Sequence, residues 1–291
     1  MPPHHLTNLR ATELSHHGDS RQLLMVLHGA WASPAQLLFI RNAIDWILPD
    51  ADLLIPAYPA GVLEHCPPTH MLRDLTRLVQ EAVAAKAETG TPYEEIILMG
   101  YSLGGALALR LALVLREICP VPVSRVVSMA GINFGWTLFP VPATMPVWLK
   151  AFCRFWFRLL LTLRLARTMR AFEYGRRFGR ESHDAWMTLL RDPDPDPRLP
   201  WMVYLAGKQD EFTHTLQYRD FIGHPQFRLM LVPHTMHLNI LLMDDSEVGR
   251  ERQLGLRMAL RGDLANESYV PSTVIQAVPI PDSGDPTPAP Q

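Results

Sequence analysis

The chain has 291 residues, 48% hydrophobic and 19% charged, which describes a globular protein with room for one large α/β domain carrying an insertion, or for two small domains. A formal net charge of -2 supplies no basic field for phosphates and argues against nucleic acid as a general partner. Cys66, Cys119 and Cys153 lie far apart with no C-x-x-C pair, as expected of reduced thiols in a cytoplasmic compartment rather than of a disulfide framework.

The N-terminal segment, residues 1–20, offers one or two short leading strands. It carries no secretory signal pattern, because the first apolar run, at 23–27, is too short and too late for one. From there, apolar runs at 23–27, 52–55, 95–99, 125–129, 202–206 and 227–232 read as core strands. Helical patterns at 35–47, 71–87 and 103–117 fall between them. In the second of these, Leu72, Leu75, Leu78, Val79 and Val83 recur at helical spacing with charges on the other side. This alternation predicts an α/β fold with a mainly parallel, doubly wound sheet covered on both faces. Some seventy residues separate the fourth and fifth runs, far more than a crossover needs, so 138–197 reads as a helical insertion. It closes on the stiff segment Asp192-Pro193-Asp194-Pro195-Asp196-Pro197. The core is then 21–137 plus 198–264, with a last helix from about Leu238 or shortly after toward Ala259. The Pro-rich tail 265–291 is expected to be disordered. The stretch 147–163 is interrupted by Lys150, Arg154 and Arg158 and is not expected to span a membrane.

One motif carries chemistry. Gly100-Tyr101-Ser102-Leu103-Gly104 follows the apolar run 95–99 and opens a helix rich in small residues. This is the G-x-S-x-G pattern, which holds a serine on a turn so tight that side chains at Gly100 and Gly104 would collide with their surroundings. A serine hydroxyl needs a base within hydrogen-bond reach and a group that orients the base. Asp210 stands in the loop after the run 202–206, with Glu211 as its rival; its distance from the strand and its shorter side chain favour Asp210. Asp210 also has the ordinary use of capping a helix that starts near Thr213. For the base, His237 follows the run 227–232 and heads an apolar stretch that would anchor it, while His234 competes three residues earlier. The N–H of Leu103, at a helix start, is one donor for a developing oxyanion; Ala30, in the loop His28-Gly29-Ala30-Trp31, supplies the second.

On these residues, covering roughly 20–260, the chain resembles the α/β-hydrolase superfamily. The resemblance implies a serine hydrolase cleaving carboxylic esters, in the esterase and lipase manner, with Ser102 as nucleophile, His237 as base and Asp210 orienting it. No metal or organic cofactor is needed. A serine at the elbow speaks against the halide-cleaving branch. The same triad would serve a thioesterase, an amidase or an acyltransferase, and a catalytically silent member would use the fold to bind a membrane or a partner.

The insertion, which sits where the superfamily carries its cap or lid, is densely aromatic and basic, with Glu173 the only acid between Lys150 and Arg180. Helical spacing groups Lys150, Arg154 and Arg158 on one stripe and Phe152, Phe155, Trp156 and Leu159 largely on the other. Three uses compete: an apolar face packed on the core with the basic face solvated, a lid touching anionic lipid headgroups, or a basic funnel for an anionic substrate. All three keep the cap apolar toward the serine and suit a small-molecule or lipid ester with a hydrophobic acyl group. The expected location is the cytoplasm, with peripheral membrane contact if the second use holds.

Overall fold

The structure, a computed structural model, describes residues 11–15, 19–30, 32–61, 66–136, 146–162, 167–192, 196–210 and 217–262. Among these lie seven strands in one sheet, ordered β1 (Ala11–Ser15), β3 (Asp52–Pro56), β2 (Gln22–Leu27), β4 (Glu95–Tyr101), β5 (Val123–Met129), β6 (Trp201–Gly207) and β7 (Phe227–Val232). Strands β2 to β7 are parallel, and β1 is antiparallel to β3 at one edge.

Alternate side chains of the central strands feed two separate cores, as a strand's period of two requires. Leu23, Met25 and Leu27 of β2 meet Leu75 and Val79 of α2 (Pro68–Glu88), Leu107 and Leu111 of α3 (Leu103–Ile118) and Trp186 of α6 (Arg177–Leu190). Leu24 and Val26 point the other way, toward Ile40, Ile44 and Ile47 of α1 (Leu38–Ile47) and Leu256, Ala259 and Leu260 of α7 (Glu247–Arg261). Burial on both faces is why these strands read as continuous apolar runs rather than alternating ones.

The order of the strands places the chemistry. The chain leaves β2 toward β3 on one side of the sheet and returns to β4 on the other, so the loops after β2 and β4 diverge from adjacent strand ends. Such a switch point opens a crevice at the carboxyl ends of a parallel sheet.

A single leading strand, β1, precedes β2 within the described residues, in keeping with the one or two expected. The structure differs from the sequence reading in two places. The segment expected to be helical from 35 begins as a 3-10 turn at Pro34–Leu37 before α1. The last helix does not start near Leu238. A 3-10 turn at Asn239–Leu241 comes first, and α7 begins only at Glu247. Local polar side chains outcompete the helix in between. Asn239 Oδ1 accepts from the Met236 N–H (2.7 Å), and the Ser246 hydroxyl caps α7 by accepting from the Gly249 N–H (3.0 Å).

Between β5 and β6 lie α4 (Val147–Thr162), α5 (Arg167–Ala171) and α6. Residues 137–145, the middle of the Pro-Asp segment and the tail from 263 are outside the described residues.

Candidate active site

The crevice is built around Ser102. Its backbone sits at φ 53°, ψ -114°, a conformation that L side chains rarely adopt and that costs of order 1–3 kcal/mol. The surroundings hold it there: the Ser102 N–H donates to the Met129 carbonyl (3.0 Å), and its carbonyl accepts from Gly105 (3.0 Å) and Ile132 (3.1 Å). The two flanking glycines are required by contact. A Cβ at Gly100 would run into the Gly104 backbone, and one at Gly104 into the carbonyl of Leu27 at the end of β2. The turn thus holds the serine at the N-terminus of α3 with its hydroxyl toward His237.

His237 comes from the loop after β7 and Asp210 from the end of β6. Ser102 Oγ lies 3.0 Å from His237 Nε2, and His237 Nδ1 lies 3.2 and 3.1 Å from the two Asp210 oxygens. With Nδ1–H turned to the carboxylate, Nε2 is left as acceptor for the Ser102 hydroxyl, the arrangement a general base needs. The side chains of Asp210 and His237 are 1% and 7% exposed, so their pairing is little weakened by water. His234 is exposed with φ 49°. Glu211 falls outside the described residues.

The remaining predicted residues stand next to the serine in sequence or in space. Leu103 opens α3 directly after the serine, and Ala30 lies in the loop after β2, beside the elbow. Among the described residues neither backbone N–H has a hydrogen-bond partner, which leaves both free for an anion. The Ala30 loop is itself braced. The buried His28 ring stacks on Tyr58 at 3.9 Å and approaches the Gly29 carbonyl through Nδ1 (3.0 Å). The Tyr58 hydroxyl donates to the His28 carbonyl, and burial pushes its phenol well above the usual tyrosine range, so it stays protonated.

Two supports were not visible in the sequence. Tyr101, the residue before the serine, donates from its hydroxyl to the His237 carbonyl (3.2 Å), with its ring 5.4 Å from the imidazole. Arg252 of α7 is buried and spans both ends of the His237 loop, donating from Nε to Thr235 Oγ1 (3.0 Å) and from Nη1 to the Leu242 carbonyl (3.0 Å). The Thr235 carbonyl in turn accepts from the Gln209 N–H (3.0 Å), tying the His237 loop to the Asp210 loop. The one available signal was a lone arginine among the apolar positions of the last helix. Tyr218 lies near the acid: burial first, and the Asp210 charge second, push its phenol upward.

An elbow serine at the switch point of a parallel sheet, within reach of a histidine–carboxylate pair, is the arrangement of an α/β-hydrolase. A profile of the alpha/beta hydrolase family matches residues 23–275, and the chain belongs to that family. Among solved structures it resembles an esterase from Pyrobaculum calidifontis (TM-score 0.56, 13% identity, 88% of this chain and 87% of that one). It also resembles carboxyl esterase 2 from the mycorrhizal fungus Tuber melanosporum (0.54, 13%, 83% and 78%). A third likeness is to a soluble variant of monoglyceride lipase from Saccharomyces cerevisiae, solved with a substrate analog (0.51, 12%, 87% and 89%). At such identities the likeness is one of fold. No curated protein matches the chain significantly.

Proposed function

We propose that this protein is a serine hydrolase that cleaves carboxylic esters with a hydrophobic acyl group. The observation that carries the reading is the unbroken line of contacts from Ser102 Oγ through His237 to Asp210. Ser102 Oγ attacks the ester carbonyl while His237 Nε2 takes its proton. Asp210 holds the imidazole in orientation and stabilises the cation that forms. The carbonyl oxygen, now negative, is held by the N–H groups of Ala30 and Leu103, a contribution of about 3 kcal/mol per donor. As the tetrahedral intermediate collapses, the C–O bond to the alcohol breaks and His237 returns the proton to the departing oxygen. A water molecule, deprotonated by the same histidine, then attacks the acyl-enzyme, and the carboxylic acid leaves with Ser102 restored.

The preference for an apolar acyl group is supported by Met236 and Leu238, which flank His237 and stand exposed in the same loop. The fold neighbours described above include two esterases and a monoglyceride lipase, in keeping with cleavage of an ester. In this reading residues 138–197, which include α4 to α6, act as a cap on the core formed by 21–137 and 198–264.

A fluorophosphonate reacts covalently only with an activated serine, so it tests the proposal directly. Wild type should label stoichiometrically, and Ser102→Ala and His237→Ala should not. Folded wild type that stays unlabelled would overturn the reading.

A further inference from the structure

We propose that the outward face of α4 is a docking surface for an anionic lipid surface. Trp148, Phe152, Phe155 and Trp156 fall at i, i+4, i+7 and i+8 and therefore share one face of this helix. In a helix that serves only to close a core, such a stripe faces inward. Here it faces out: Trp148 is 70% exposed, Phe155 62%, Phe152 54% and Trp156 46%, and Val147 beside them is 82% exposed. Elsewhere in the insertion Phe172 and Trp186 are buried in the core, but the aromatic stripe of α4 does not follow the first of the three expected uses. The rings contact each other instead, with Phe152 and Phe155 approaching Trp156 edge-on at 6.0 and 6.1 Å between centroids. Helix α4 itself packs against α5, whose Met169 carbonyl accepts from Trp136 Nε1 (2.7 Å) and whose Thr168 bonds to the Cys66 backbone.

Charge decides what fits this face. From Ile118 through Phe172 the sequence contains no Asp or Glu, while Lys150, Arg154, Arg158, Arg164, Arg167 and Arg170 all fall from α4 to the end of α5. Arg158 and Arg170 are exposed. A second copy of the chain would bring these cations against their like, which disfavours self-association through α4. An anionic bilayer suits both features: the aromatic stripe enters it, and exposed Arg158, three residues after Phe155 and so at the border of that stripe, reaches its headgroups. Trp and Phe enter the headgroup boundary, and each nearby cation gains about 1 kcal/mol from the negative surface. At about 24 Å, a helix of this length lies along the surface. Among the described residues no helix is long and apolar enough to cross a membrane, so the contact is peripheral.

The test is co-sedimentation of the full chain with vesicles of phosphatidylcholine alone and of phosphatidylcholine with phosphatidylglycerol, alongside tryptophan emission. Wild type should bind the anionic vesicles with a blue shift, bind neutral ones far more weakly, and release in high salt. The double variant Trp148→Ala/Phe155→Ala should lose at least about tenfold in vesicle affinity. Arg158→Glu should lose a similar factor. Both alter exposed side chains, and the far-UV circular dichroism and thermal unfolding of each should match wild type, which shows that each is folded. The proposal is overturned if folded wild type binds neither vesicle, if neutral and anionic vesicles bind equally, or if the double variant binds as wild type does. A concentration-dependent dimer lost in the double variant, without vesicle binding, would assign the face to a second copy instead. The inference stands on exposure and charge, so an unlabelled wild type would sink the hydrolase reading and leave this one intact.

Discussion

Helices α3 and α4 are both sixteen residues long and both rich in apolar side chains, yet the protein uses them in opposite ways. α3 packs against the sheet and against α2 and α6, and Leu103, Ala106, Leu107, Leu109 and Leu111 are all buried. Its small residues, Gly104, Gly105 and Ala106, let it approach the strand ends closely enough to seat Ser102. α4 carries large rings in place of small residues and leaves them in solvent. Apolar content alone does not say where a helix goes. Residue size and the neighbouring charges do: a helix that must touch backbone is lined with Gly and Ala, and one that meets a soft, charged surface is lined with aromatics and cations.

The largest effect expected at the α3 end is loss of chemistry. Ser102→Ala should reduce ester turnover by about 10⁶-fold and Asp210→Asn by about 10⁴-fold, with thermal unfolding near that of wild type. Steady-state kinetics on a soluble short-chain ester checks both. Next comes packing: Leu107→Ala, in the fully buried face of α3, should cost about 3 kcal/mol in urea unfolding. A cost below about 1 kcal/mol would mean that α3 is not the tight element described. Smaller still, Tyr101→Phe removes one hydroxyl that fixes the His237 carbonyl, and should lower kcat by roughly three- to tenfold with KM held. An equal loss appearing in KM alone would contradict the positioning role. At the α4 end, Phe155→Ala should change the unfolding free energy by no more than about 0.5 kcal/mol. A core-like cost there would erase the contrast between the two helices.

Much of this was legible in the sequence because it is written locally. Gly100 and Gly104 declare a turn that only small residues fit, and buried parallel strands declare themselves as unbroken apolar runs. Asp210 and His237 each follow such a run closely, and the structure holds His237 against the Ser102 hydroxyl and Asp210 against the far side of His237. The illegible parts depend on distant partners. Nothing near Arg252 in sequence shows that its guanidinium will meet Thr235 and Leu242, and nothing near Tyr101 shows that its hydroxyl will reach the His237 carbonyl. The start of α7 was misplaced because Asn239 and Ser246 break the helix by side-chain bonds that compete with an apolar run. For α4, periodicity revealed an aromatic face but not its direction, since packing against the rest of the chain settles that.

The most direct measurement is to mix the protein with an ester whose acyl-enzyme resolves slowly, quench in acid, and map the adduct by mass spectrometry. The account predicts a mass increase equal to the acyl group on the peptide containing Ser102, absent from Ser102→Ala. Turnover without any adduct, or an adduct on another residue, would contradict it.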